Sequence, residues 1–247
     1  MKININNSTY VCLLLSFLAG YFEYVYLFLL TILIHECGHM IFAKIIGFKF
    51  DKIILYPFGG ITIYNEDLNV NSNKELFVLL GGITFQLLFF ILIYILYNNS
   101  LVTDHTYTII KRINIVLISF NFMPVLPLDG GKLTNIIFDK IFNYRLSNTI
   151  SIIISIFFIC IFILKNKTIF GIILILFLIK SIVIEVLNLK YKYNKFLLER
   201  YINDYNFKRI KIINNINKLK RDNYHIINNT LEKTYLRKIF EISSIKW

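Results

Sequence analysis

Hydrophobic residues run in long blocks, from about Thr9 to Phe22, Tyr24 to Ile46, Phe77 to Tyr97, Tyr107 to Met123, Asn148 to Leu164 and Thr168 to Leu187. Each approaches the roughly 20 residues with which a helix crosses about 30 Å of hydrocarbon. The pattern predicts six transmembrane helices and an all-α polytopic membrane protein. Between the second and third blocks, Phe48 to Asn65 breaks the helical period. Alternation at Ile61-Thr62-Ile63 after Gly59-Gly60 predicts a β-hairpin returning toward the membrane, with an ordinary amphipathic loop as the alternative. A further shift falls near Asn188. Beyond it, Ile, Leu and Tyr at mixed spacing are interleaved with 14 Lys and Arg against 5 Asp and Glu. The chain thus divides into a transmembrane region, 1–187, and a short basic tail, 188–247.

Composition strengthens the membrane reading. Of 247 residues 56% are hydrophobic and 17% charged, whereas soluble domains carry about 25% charged residues. Soluble globular, disordered and collagen-like classes are excluded. The three cysteines, Cys12, Cys37 and Cys160, cannot all pair with one another, and free thiols are expected. A net charge of +12 in so apolar a chain points to cytoplasmic loops and lipid headgroups rather than nucleic acid.

The distribution of that charge predicts orientation. With six crossings, eleven Lys and Arg fall on the side of the termini and at most four on the other. Both termini are therefore expected in the cytoplasm of a bacterial cell. The first block follows Lys2 as a signal peptide would, but Leu18-Ala19-Gly20 is a poor cleavage site, so a retained helix is expected.

Chemistry concentrates in the second block. His35-Glu36-Cys37-Gly38-His39 places two imidazoles one helical turn apart on one face, where they can grip one metal ion. Glu36 lies beside them as a candidate base for metal-bound water. Ionisable residues at this depth cost about 2.5–3.5 kcal/mol each on insertion scales, a cost that metal binding compensates. Cys37 points off the shared face and reads as a small filler, with a thiolate ligand as the alternative. Zinc held by two His needs a third protein ligand. Asn121 to Gly131 ends the fourth block with Pro124 and Pro127, which break the helix near membrane depth. Asp129 in that segment is the candidate third ligand, or else the N-cap of a short helix through Phe142.

The H-E-x-x-H helix with a later N-x-x-P-x-x-P-x-D-G segment resembles the site-2 protease family of intramembrane metalloproteases. Within it, Pro57-Phe58-Gly59-Gly60 looks like a segment of the bacterial sporulation group. The resemblance covers about Thr9 to Leu187. It implies that His35, His39 and Asp129 bind zinc, that Glu36 is the general base, and that Asn121 orients substrate or stabilises the oxyanion. It further implies a membrane-associated β-hairpin whose edge receives substrate, a membrane-tethered protein substrate such as a pro-sigma factor, and inhibitory or assembly membrane partners. In related proteases the region after the last span leads into a nucleotide-sensing CBS domain. The tail here is short for one, and a helix lying on anionic lipid or a soluble basic tail are its alternative readings. Gln86 stands where the family places Asn, so no catalytic role is assigned to it, and Gly81-Gly82 are expected to allow close helix packing.

Two rivals stand beside the protease. A metal transporter also carries His and Asp within spans, but it has no need of Glu36 beside the first His. An inactive metal-binding scaffold would show loss of the base or of a ligand, and neither is lost.

Overall fold

The computed structural model describes residues 2–48, 50–56, 59–64, 67–165, 168–205, 207 and 209–244. It is mostly helical and divides into two compact units, one of residues 1–66 and 76–122 and the other of 67–75 and 123–247. Among the described residues each unit carries one three-stranded sheet.

In the first unit the chain begins as β1 (Lys2–Ile5) and α1 (Asn7–Leu18), then α2 (Phe22–Ile45). The antiparallel strands β2 (Phe50–Tyr56) and β3 (Gly59–Tyr64) follow, then α3 (Ser72–Asn98) and α4 (Asp104–Asn121). β1 pairs in parallel with β2, aligning Ile3 with Ile53. The buried Thr9 hydroxyl donates to the Leu55 carbonyl at 2.9 Å, tying the start of α1 to the same strand. Side chains two apart on a strand share a face, and Ile53 and Leu55 turn inward to pack with Ile32 of α2 and Leu117 of α4. That cluster seats the sheet on the helix bearing the paired histidines. α2 also lies tightly on α3, since a Cβ added at Gly38 would fall 2.2 Å from the Gly81 carbonyl oxygen.

The second unit contains α5 (Asp129–Ile141), α6 (Tyr144–Lys165) and α7 (Ile169–Ile202). A second sheet of β4 (Ile210–Ile213), β5 (Tyr224–Ile227) and β6 (Thr230–Leu231) follows, and α8 (Glu232–Ser244) completes the described chain. Its core gathers Tyr144, Phe196, Leu197, Leu219, Ile227 and Leu236. The Tyr144 and Phe196 rings stack with centroids 4.0 Å apart. Arg200 is buried among acceptors that satisfy its donors, namely Glu232 Oε1 at 2.7 Å, Asn69 Oδ1 at 2.6 Å and the carbonyls of Asn223, Lys220 and Arg221.

Four helices among the described residues are long and apolar enough to cross a membrane: α2, α3, α6 and α7. Their apolar surfaces, such as Leu88, Ile91 and Ile95 on α3 or Phe157 on α6, are exposed in the isolated chain and suit lipid. The two other expected crossings fall short on this measure. α1 has 12 residues and ends before Gly20, whose φ of +77° turns the chain into α2. α4 has 18 residues and carries Asp104, Lys111 and Arg112.

β2 and β3 pair antiparallel, and their sheet has a third strand, β1; Pro57 and Phe58, which carry part of the resemblance, lie outside the described residues. The region expected as a basic tail, 188–247, holds the end of α7, strands β4 to β6 and α8. α7 runs unbroken past Asn188 to Ile202, and the residues beyond fold onto its last turns through the Arg200 network and the Phe196 cluster.

Candidate metal centre

α2 forms because 24 residues, almost all apolar, satisfy their backbone polar groups within the helix, as hydrocarbon demands. His35, Glu36 and His39 are nevertheless buried, at 3%, 8% and 3% exposure. The one-turn spacing brings the two imidazoles together edge to face, with Nε2 of His35 and Nε2 of His39 3.1 Å apart.

Their other nitrogens are engaged. His39 Nδ1 lies 2.9 Å from the Val78 carbonyl oxygen, and His35 Nδ1 lies 3.0 Å from Gln86 Oε1. A carbonyl only accepts, so His39 carries its proton on Nδ1 and presents Nε2 as a lone pair. Two such acceptors meeting at this distance are suited to a cation, and imidazole nitrogen is a donor that zinc takes readily. α3 is shaped around the pair: a Cβ at Gly82 would stand 2.4 Å from His39 Nε2 and 2.7 Å from His35 Cε1. Gly82 thus makes room for the two imidazoles, a tighter demand than the helix packing expected of it.

Asn121, the last residue of α4, holds its Nδ2 3.3 Å from His35 Nε2. The amide donor is therefore aimed at the place where the imidazole nitrogens converge. β3 passes close to the other member of the motif, since a Cβ at Gly60 would fall 2.3 Å from Glu36 Cγ. Cys37 packs against the cluster of Ile32, Ile53, Leu55 and Leu117, as a small filler would.

In the second unit, α5 begins at Asp129, two residues after Pro127 and five after Pro124. Val125 is fully buried, and the Leu126 amide donates to Ser155 Oγ of α6 at 2.9 Å, which anchors the broken segment. Asp129 is the first helical residue, with Leu128 in the capping position, so it is not the N-cap. Its side chain is 12% exposed and pairs with Lys132 Nζ at 3.2 Å.

Gln86, Gly82 and the Val78 carbonyl are contributors that sequence reasoning did not assign to the site. All three lie on α3, and no local pattern signals which residue of one helix faces a histidine of another.

A buried imidazole pair with a neighbouring glutamate, carried on an apolar helix, is an arrangement that can hold a metal ion beside a base. Residues 23–103 match the model of peptidase family M50. The chain is 28% identical over 208 residues to stage IV sporulation protein FB of Bacillus subtilis (strain 168), covering 81% of this chain and 72% of that protein. It is 28% identical over 128 residues to a zinc metalloprotease of Methanocaldococcus jannaschii, covering 51% of this chain and 37% of that one. The fold is that of the solved site-2 protease from Methanocaldococcus jannaschii, with a TM-score of 0.60 and 24% identity over 74% of this chain and 89% of that chain. The chain is homologous to these site-2 proteases and is an intramembrane zinc metalloprotease.

Proposed function

We propose that His35, His39 and Asp129 hold the zinc ion, that Glu36 is the general base and that Asn121 stabilises the oxyanion. The observation that carries this reading is the convergence of two imidazole Nε2 atoms 3.1 Å apart. Bound zinc supplies a Lewis acid that lowers the pKa of its water toward about 7. Glu36, buried under the backbone of β3, takes the proton from the attacking water and returns it to the leaving amine. The Asn121 amide donates to the carbonyl oxygen as negative charge grows on it.

The substrate in this reading is a membrane-tethered protein, presented as an extended segment along the edge of β3. β3 pairs with β2 on one side, and an added strand on the other would hold a peptide bond straight beside Glu36. The name of the Bacillus subtilis relative supports a role in sporulation, with a pro-sigma factor as the regulatory precursor. The enzyme acts in a bacterial cell membrane, crossing it six times with α1 and α4 included and both termini in the cytoplasm. The test is co-expression with membrane-tethered pro-sigma precursors, comparing the wild type with Glu36→Gln. Release of a shortened precursor by the wild type alone supports the reading, and equal release by both removes Glu36 as the base.

A further inference from the structure

We propose that Gln86 is a positioning residue for the metal centre: its amide, locked by α4, selects the tautomer in which His35 can ligate zinc. The inference rests on the reading of His35 as a ligand.

Gln86 is fully buried on α3, inside the first unit. A side-chain amide has two faces, an oxygen that only accepts and an NH2 that only donates, and which one meets the histidine decides the histidine's state. Here the choice is forced from behind. Gln86 Nε2 lies 3.4 Å from the backbone carbonyl oxygen of Asn114, in the middle of α4. That carbonyl cannot donate, so the NH2 group must face it. The oxygen therefore faces His35, 3.0 Å from Nδ1. With an obligate acceptor at Nδ1, the neutral imidazole carries its proton there and leaves the lone pair on Nε2, the atom that meets His39 Nε2 at 3.1 Å.

The two histidines reach one state by different means. His39 is set by a main-chain carbonyl, that of Val78, which no substitution of a side chain removes. His35 Nδ1 faces a side-chain oxygen instead, and a chain of three helices, from Asn114 on α4 through Gln86 on α3 to His35 on α2, transmits the constraint. Without an acceptor at Nδ1, the Nε2–H form of His35 is opposed by the Asn121 amide 3.3 Å away but favoured by the His39 Nε2 lone pair 3.1 Å away, and it points a proton at the metal position.

The test is zinc affinity of the purified full chain in lipid nanodiscs, read by competition with a chelator, together with the nitrogen NMR shifts of the zinc-free histidines. Partners that orient metal-bound histidines change affinity by about 10–100-fold when removed. Gln86→Met, which keeps the length and bulk but offers no strong acceptor, is expected to weaken zinc by that factor. Gln86→Glu keeps an oxygen facing Nδ1, although its other oxygen meets the Asn114 carbonyl in place of the NH2, and is expected to weaken zinc less than Gln86→Met does. In the wild type the His35 shifts should report a proton on Nδ1, and in Gln86→Met a mixture of the two tautomers. Wild-type affinity in Gln86→Met, or equal losses in the Met and Glu variants, would overturn the proposal. If the variants fail to fold, an Nε2–H tautomer at His35 in the wild type overturns it alone. His35→Ala separates the two readings: a large loss of zinc there with none in Gln86→Met removes only the role of Gln86, whereas zinc retained in His35→Ala removes the ligand and the positioning role together.

Discussion

Gly60 of β3 and Glu36 of α2 approach so closely that a Cβ on the glycine would lie 2.3 Å from Glu36 Cγ and 2.9 Å from its Oε1. No real Cβ tolerates the first distance, so either the strand or the carboxylate must move. The expected outcome for Gly60→Ala is cleavage reduced on the order of 100-fold, the cost of about 1 Å of misplacement at a reacting group, with zinc still bound. Zinc content and cleavage rate of a membrane-tethered substrate, measured on the same preparation, check it. Loss of zinc in parallel with activity would mean that the strand supports the histidines rather than the base.

Separating base from ligands is the next expectation. Glu36→Gln should keep zinc while cleavage drops by about 100- to 10,000-fold, the range of general acid–base contributions. Asp129→Ala should lose zinc as well as activity, because two imidazoles alone are too few protein ligands for a stable site. Full zinc occupancy in Asp129→Ala would remove Asp129 as a ligand, its pairing with Lys132 and its favourable place in the first turn of α5 being consistent with a structural role.

Much of this centre is legible along the chain because helical spacing is local. Five consecutive residues place His35 and His39 on one face, and Pro124 and Pro127 end α4 where expected. What is not legible depends on partners far apart in sequence. β1 contains only four residues, too few to announce a strand, and exists because Ile3 finds Ile53 fifty positions away. Gln86 looks like any polar residue in an apolar helix until His35 is placed opposite it. The tail reads as basic and irregular because its organising contact, Arg200 with Glu232, joins residues with no periodic relation.

Membrane topology discriminates four crossings from six. If α1 and α4 cross, a reporter inserted at Gly20 and another at Leu101 should both lie on the outer face, with a reporter after Asn203 in the cytoplasm. The turns at those positions, which follow α1 and α3, are exposed and tolerant of insertion. A cytoplasmic reading at Gly20 would leave α1 as a surface helix joined to the β-sheet by Thr9.

Asp139 gives the second unit a pH dependence with a definite sign. Burial pushes its carboxyl up to about 6, and the nearby Arg221 only partly counters it. The ordinary carboxylate value is about 3.9, so between about pH 4 and 6 the folded state binds the proton more tightly than the unfolded one. The Asp139 contribution to stability is therefore greatest below about pH 4 and is lost as pH rises through 6, by on the order of 1–3 kcal/mol. Asp139→Asn should abolish that component. Denaturant unfolding of wild type and variant at pH 4.5 and 7.5 measures it, and a wild type that gains nothing over Asp139→Asn at the lower pH contradicts the assignment.

The tail offers the last test, because a buried ion pair at its centre should make it a folded unit rather than a lipid-bound strand of charge. Arg200 and Glu232 side chains are 1% and 3% exposed, 2.7 Å apart, and the Arg200 guanidinium lies 4.7 Å from the ring centroids of both Phe196 and Phe207. Removing one partner leaves the other as an uncompensated buried charge, at a cost of about 3–5 kcal/mol. Burial by itself would raise the Glu232 carboxyl, but the hydrogen bond from His225 and the charge of Arg200 together hold it below its ordinary value. Its contribution is thus present above the unfolded carboxylate pKa and is lost as pH falls through the depressed folded one. Glu232→Gln and Arg200→Met should each expose the segment after Ile202 to protease in intact nanodiscs at neutral pH, while α2 and its histidines stay protected. Equal protease resistance in wild type and both variants would show that the pair does not hold the tail. Rapid cleavage of the wild type itself would show that this region is not packed at all.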